Sequence, residues 1–508
     1  MNNRLLEESF KTNKKVFIEY INNIKNNMPI DIYSVTNITL ISNPYSSDFP
    51  KKFFLEILIN KSNKLILFLL HCIKFYARNF YALFSYIISF FIFKIVYKKN
   101  KIKKNNNIYL DVFFLVDNIN KDGVFIEKYF SKIYPVLKKH EVDYTFIPRL
   151  FGAHKNPIKL IKFFKIMNKD KNNFLFEFEL LSFFDILYIV LLILKYPFKT
   201  LRLLQIEDTN INKLFNNELI KDISKQQFDA FSRFVFGKNI AKIKSINDIY
   251  SWSEFQVIER AFNYAIRIEN TNITLHGCQF YLNYETYFNS YLYDVDENNK
   301  TAYHEVLVNG KYYIKEEKLI KYNLGVSLRY SQVFEFNKEK VGKEILVLGS
   351  FIENDTRYML ECAKVFEKII FKEHPALPNT RLDDMTSTNI RKVNENIYTL
   401  FKNTKLVISS ASGTCVEAVA CGIPVIVIAS YNNLTANPLV EYGKGKIWDI
   451  VYNKDDMNET YRRLLSYKID NNEEVDSIGK WYRENFFIKP IEKNIVRAFD
   501  LDEKRNIN

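Results

Sequence analysis

From Glu344 onwards the chain switches regularly between short apolar runs and helical spacing. EILVLGS (Glu344–Ser350), IIFKEHP (Ile369–Pro375), LVISS (Leu406–Ser410) and PVIVIA (Pro424–Ala429) read as buried strands. DTRYMLECAKVFEK, NENIYTLFKNT and GTCVEAVACG read as the helices between them, with Asp355 as an N-cap. Strands alternating with helices of this length predict an α/β, doubly wound parallel sheet. A second set begins at IYLDVFFLV (Ile108–Val116), continues through a predicted helix at Val124–His140, and reaches a strand at Val142–Pro148. Helical spacing then dominates until SWSEFQVIERAFN (Ser251–Asn263) and the strand candidate ITLHGCQF (Ile273–Phe280), with a further β-α crossing expected near His304–Ile314. The pattern divides the chain into 1–104, 105–338 and 339–508. The first part mixes polar helical stretches, a short strand expected at Asn37–Asn43, and apolar helices.

Two apolar segments change that picture. Phe80–Tyr97 is apolar apart from small polar groups and Lys94, and a lysine cluster follows it; Phe183–Phe198 is similar but shorter. A span needs about 20 apolar residues, so the first is borderline and the second falls short. Aromatic-rich faces edged by lysine suit helices lying in the membrane interface. Buried core helices and a single span are the open alternatives.

Composition narrows the class. With 47% hydrophobic and 16% aromatic residues the chain can build real cores, which excludes wholesale disorder. The net charge of +14 favours anionic partners. No RNA-recognition signature, zinc-finger spacing or continuous basic helix accompanies it, so nucleic acid is not expected as a partner. The five cysteines show no metal-ligand spacing and sit mostly in apolar contexts, the pattern of buried thiols in a reducing compartment. The first residues lack the apolar stretch of a cleaved leader.

In open α/β sheets ligands bind beyond the carboxyl ends of the strands. Three such ends are Gly349–Ser350, Lys372–Pro375 and Ser409–Ser410. Small residues in SSASGT let a ligand approach the backbone, and Ser409, Ser410, Ser412 and Thr414 add hydroxyls beside Gly413 and a helix start. Capping is the competing reading for Ser412 and Thr414. Glu417, three residues after Thr414, suits either a capping box or a ribose hydroxyl pair. Lys372 and His374 alternate, so a regular strand would point them to one face as an anion site, with His374 as a candidate general acid. GxxxxGK[ST] is absent, so this is not a Walker loop.

The order Lys372-x-His374-Pro375, a strand ending in Ser409–Ser410, a helix with Glu417–Ala418 and the restart Gly422–Ile423–Pro424 resembles the donor half of GT-B glycosyltransferases. It is most similar to bacterial sialyl- and polysialyltransferases and Kdo transferases. The wider layout also resembles O-antigen and capsule biosynthesis proteins. The resemblance covers about the last third of the chain. It implies two Rossmann-like domains with a cleft, a CMP-sugar held by Lys372, His374, Pro375, Ser409 and Ser410, and an acidic base in the first domain. Those families place two consecutive acids before a glycine; here Lys121–Asp122–Gly123 offers one, so Asp122 is the candidate base. Glu254 beside Trp252 is the other candidate, facing a sugar acceptor. Glu259 is expected to pair with solvent or a lysine. Arg260 and Arg267 suit an acceptor phosphate or a salt bridge, His276 is a further candidate, and Arg329 could contact donor phosphate.

No DxD motif has strand-end context, so neither metal nor cofactor is expected. The implied enzyme transfers a sugar from a nucleotide donor to a lipid-linked or oligosaccharide acceptor, in the cytoplasm at the inner face of the membrane. A CDP-polyol phosphotransferase, a UDP-sugar epimerase and a non-catalytic glycan-assembly protein are the alternatives.

Overall fold

A computed structural model describes residues 3–56, 64–98, 108–116, 118–120, 123–151, 156–206, 208–225, 227–337, 342–374 and 389–502. Two parallel sheets carry the architecture. The first contains β1 (Ile108–Leu115), β2 (Tyr144–Phe151), β3 (Asn173–Phe174), β4 (Asp248–Trp252), β5 (Thr274–Gln279), β6 (Glu305–Val308) and β7 (Lys321–Leu324), in the order β3-β2-β1-β4-β5-β6-β7. The second contains β8 (Glu344–Leu348), β9 (Ile369–Lys372), β10 (Ile390–Val393), β11 (Thr404–Ser409), β12 (Val425–Ile428) and β13 (Trp448–Val451), in the order β10-β9-β8-β11-β12-β13. Helices cover both faces, which is why β8 and β12 are apolar at every position but the first residue of β8.

Each sheet reverses its winding beside its first strand, between β1 and β4 and between β8 and β11. Register aligns the second sheet's rim: Leu348 stands opposite both Lys372 and Ser409. Of the three strand ends read from the sequence, the outer two therefore flank β8 symmetrically.

Residues 3–56 differ from expectation. They form helices at Asn3–Asn27, Ile32–Val35, Ile38–Ile41 and Phe49–Phe54. The expected strand at Asn37–Asn43 is a helical turn, because the Asn37 side chain accepts the Leu40 N–H and Ser42 closes the turn at φ 58°. Phe10, Phe17 and Phe54 pack around Phe288 of the first domain. Lys25 shares Asp296 with Arg260. Glu7 accepts the Thr435 N–H at 2.6 Å, and the Tyr45 hydroxyl donates to Leu434 O. This segment thus grips both domains.

The expected helix at Val124–His140 shortens to Tyr134–Lys139, with Pro135 in its first turn. Ahead of it the Glu127 carboxylate accepts the N–H groups of Tyr129 and Phe130 and holds them in a non-helical turn. The two apolar segments are helices: Lys64–Val96, of 33 residues, and Phe183–Thr200. At the other end the chain crosses back. Asn472–Phe486 packs on Thr414–Ala420, and Phe499 lies against Tyr250 of β4, whose hydroxyl donates to its carbonyl.

Candidate active site

At the second sheet's rim, the Gly349 N–H donates to Lys372 O at 2.9 Å. A Cβ on Gly349 would stand 3.0 Å from His374 N, a tight contact, so glycine eases the close exit of β8 beside β9. Ser350 is committed to its own turn: its N–H donates to Thr356 Oγ1 and its hydroxyl accepts the Ile352 N–H. Lys372 and His374 do not share a face. β9 ends at Lys372, so the alternation stops there. Lys372 Nζ donates to Glu395 O beyond β10, while the His374 ring sits edge-on to Phe351 beyond β8. Burial pushes the His374 pKa down, favouring the neutral ring.

Across β8, the Ser409 hydroxyl reaches Leu348 O at 3.5 Å. Ser410 is buried, and its Oγ makes no hydrogen bond among the described residues. The next residue, Ala411, holds φ 50°, a left-handed conformation that costs a non-glycine residue about 1–3 kcal/mol. Ser412 accepts the N–H of Thr414, the first residue of the helix, whose N-cap position is Gly413. A Cβ at Gly413 would lie 3.2 Å from Leu282 Cβ, so the first domain packs directly on this helix start. Glu417 is buried and accepts the Tyr398 hydroxyl. Burial pushes its pKa up to about 7, against the pull of Tyr398, Arg329 and Thr414.

The first sheet answers from the opposite side. β4 ends at Trp252 and runs into Ser253–Glu254–Phe255, and Phe255 is again a non-glycine residue in the left-handed region, φ 54°. Strands β4 and β11 occupy equivalent places beside the two reversals, and each leaves its sheet through a strained turn. Asn289 Nδ2 donates to Glu254 O and fixes the loop. Burial and the neighbouring Glu259 charge push the Glu254 carboxyl up to about 7, opposed by Arg149 and Arg329. Arg329, on the segment joining the domains, lies 5.6 Å from the Tyr129 ring and 5.7 Å from Trp252. Its charge acts on both Glu254 and Glu417, one carboxylate from each domain.

Beneath Glu254 lies a buried ionic network that the sequence reading missed. Arg149 of β2 pairs with Glu259 at 2.6 Å and Asp111 of β1 at 3.4 Å, and Asp111 takes Arg233 at 2.9 Å. Arg149 also donates to Trp252 O, at the start of the turn that carries Glu254. Glu259 is therefore buried in this network and not paired with solvent or lysine. The available signal was Asp111 itself, a carboxylate in an otherwise apolar strand, with Arg149 on the strand that follows.

Asp122 and Pro375 lie outside the described residues. Arg260 and Arg267 form ion pairs with Asp296 and Glu297. His276 sits between Asp248 and Glu305 at the amino half of the first sheet, stacked on Tyr250, away from the rim. Among the described residues no three His, Cys, Asp or Glu side chains gather as metal ligands. A cavity of about 720 Å³ bordered by Lys311, Arg483 and Arg497 opens beside the chain's return crossing, separate from these strand ends.

Two doubly wound parallel sheets, joined by a segment that carries Arg329 and packed where Leu282 meets Gly413, make this an α/β protein of GT-B-like architecture with a helical amino-terminal addition. No family model matches the chain. No curated protein matches it. Among solved structures it is similar to the MnaA–UDP co-structure from S. aureus, at 9% identity and TM-score 0.44 over 79% of this chain and 98% of that one. The UDP-GlcNAc 2-epimerase from Neisseria meningitidis aligns at 12% identity and TM-score 0.40, over 79% and 100%. The wall teichoic acid polymerase TagF aligns at 9% and 0.37, over 88% and 99%.

Proposed function

We propose that the chain is a glycosyltransferase that takes a sugar from a nucleotide-activated donor, CMP- or UDP-linked, to a growing bacterial surface glycan such as O-antigen or capsule. One observation carries the reading: a buried Ser410 hydroxyl with no hydrogen bond among the described residues stands beside the β8/β11 reversal, where sheets of this winding bind nucleotides. Ser410 donates to a donor phosphate oxygen, and His374 and Lys372 border the same rim. Glu254 takes the proton of the acceptor hydroxyl, whose oxygen attacks the anomeric carbon. The bond from that carbon to the phosphate oxygen breaks, and Arg329 offsets the charge left on the nucleotide. A carboxyl titrating near 7 is well matched to this base role, active above that pH.

Thermal-shift titration with UDP, CMP and CDP tests the site. One nucleotide should stabilise the wild type, and Ser410→Ala should weaken it by about 5–10-fold, the worth of one hydrogen bond. Stabilisation by none of the three, or equal binding to Ser410→Ala, would remove the basis of the proposal. A second reading, a UDP-sugar epimerase, is favoured by two carboxyls pushed up to about 7, one from each domain and both under the charge of Arg329, a pair suited to moving protons on one sugar. Conversion of UDP-sugar without an acceptor would select it.

A further inference from the structure

We infer that the helices Lys64–Val96 and Phe183–Thr200 form one docking face for a bilayer surface containing anionic lipid, with both helices lying in its plane. The two are packed side by side. Phe68 meets Phe198 at 6.0 Å, Phe75 stacks on Tyr196 at 5.1 Å, and the Tyr76 hydroxyl donates to Leu194 O at 2.9 Å.

Each helix has two stripes. On the longer one, Phe68, Cys72, Phe75, Asn79, Leu83 and Tyr86 recur at intervals of three or four and are buried against the protein, and Phe93 extends the line. Asn79 is fixed there, accepting the Gln227 N–H and donating to Phe75 O. The opposite stripe is apolar and open: Tyr81 is 68% exposed, Phe84 62% and Phe91 60%. The shorter helix adds Phe184 at 79%, together with Leu191, Leu194 and Phe198. Rings of this size at such exposure sum to an apolar patch on the order of 1,000 Å², beyond the 300–600 Å² usual as the largest on a monomer.

The longer helix is long and apolar enough to cross a membrane, but its packing favours a place in the plane. At 1.5 Å per residue the longer helix is about 50 Å long, against a hydrocarbon core of about 30 Å, and its inner stripe is packed on protein along nearly its whole length. A spanning helix would have to abandon that packing. Charge selects the occupant. The longer helix has no acidic residue, and the shorter has only Asp185. Lys74, Arg78, Lys94, Lys195 and Lys199 are exposed along the pair, and Lys94 reaches over the Phe90 ring at 5.1 Å. Lysine edges on an aromatic face complement anionic headgroups above acyl chains. A second copy of this chain would instead bring like charges together.

Flotation of the full chain with phosphatidylcholine vesicles, alone or mixed with phosphatidylglycerol, tests this. Binding should be strong with the mixture, weaken at high salt, and release in alkaline carbonate. The variant Phe84→Ser/Phe91→Ser/Phe184→Ser should lose binding at least tenfold with an unchanged melting curve, since all three side chains are exposed. Lys195→Glu/Lys199→Glu should lose only the preference for the anionic mixture. Absence of vesicle binding, retention by the triple serine variant, or resistance to carbonate would overturn the inference. So would a dimer in solution that the serine variant dissociates.

Discussion

Glu417→Gln isolates one buried carboxyl whose ionisation opposes folding. In the folded chain its pKa is pushed up to about 7 from an ordinary 4.5, with burial the largest cause. The sign follows directly. Between those values the folded state holds a proton that the unfolded state has released, so stability falls as pH rises through about 4.5 to 7, and the full cost is present above 7. A shift of this size is worth about 3 kcal/mol. Glutamine keeps the acceptor for the Tyr398 hydroxyl but never ionises. Wild type and variant should therefore differ by a constant at low pH, and the variant should gain relative stability as pH climbs. At ~2 cal/mol/K per residue the relative gain in Tm is about 3 °C if all 508 residues melt as a unit, and about 10 °C if the second domain melts alone. Differential scanning calorimetry from about pH 5 to pH 8 reads this without knowledge of the substrate. A Tm difference that stays flat across the range would refute the argument, because the folded carboxyl would then titrate where the unfolded one does.

Arg149→Met should destabilise the first domain by about 3–5 kcal/mol, read by urea denaturation, because Asp111 and Glu259 lose their shared guanidinium while buried. Adding Glu259→Met should recover part of that loss. Gly310→Ala should loosen the return crossing at a cost of about 1–3 kcal/mol, since its Cβ would fall on the backbone of Asn485 and Phe486, which cannot rotate away. Limited trypsin digestion should then cut within Asn472–Phe486 faster than in the wild type.

The second domain was legible because its strands are apolar on both faces and its turns are small, so EILVL, IIFK and VIVI announce themselves one by one. Register then fixed what the sequence only suggested, setting Leu348 opposite both Lys372 and Ser409. The shared face of Lys372 and His374 failed because alternation holds only inside a strand, and the strand stops at Lys372. Residues 3–56 were illegible for a different reason. Their partners are Phe288, Asp296 and Thr435, hundreds of residues away, and no local period encodes such contacts.

The buried network was the costliest omission, and it connects fold to site. Asp111 sits in the first strand, Arg149 in the second, and Glu259 on the helix that follows β4. A charge in a parallel strand is tolerated only when opposite charges reach it from neighbouring elements, so each charge here fixes the position of the others. Arg149 carries the constraint outward by donating to Trp252 O, two residues before Glu254. Glu259 carries it a second way, since its charge raises the Glu254 carboxyl towards neutrality while Arg149 restrains it. The turn that presents the proposed base is thus set in place, and its proton affinity adjusted, by the ions that lock β1 to β2 and β4. A residue chosen from the rim alone would miss this, because the groups that tune Glu254 are buried beneath it in the sheet and on its covering helix.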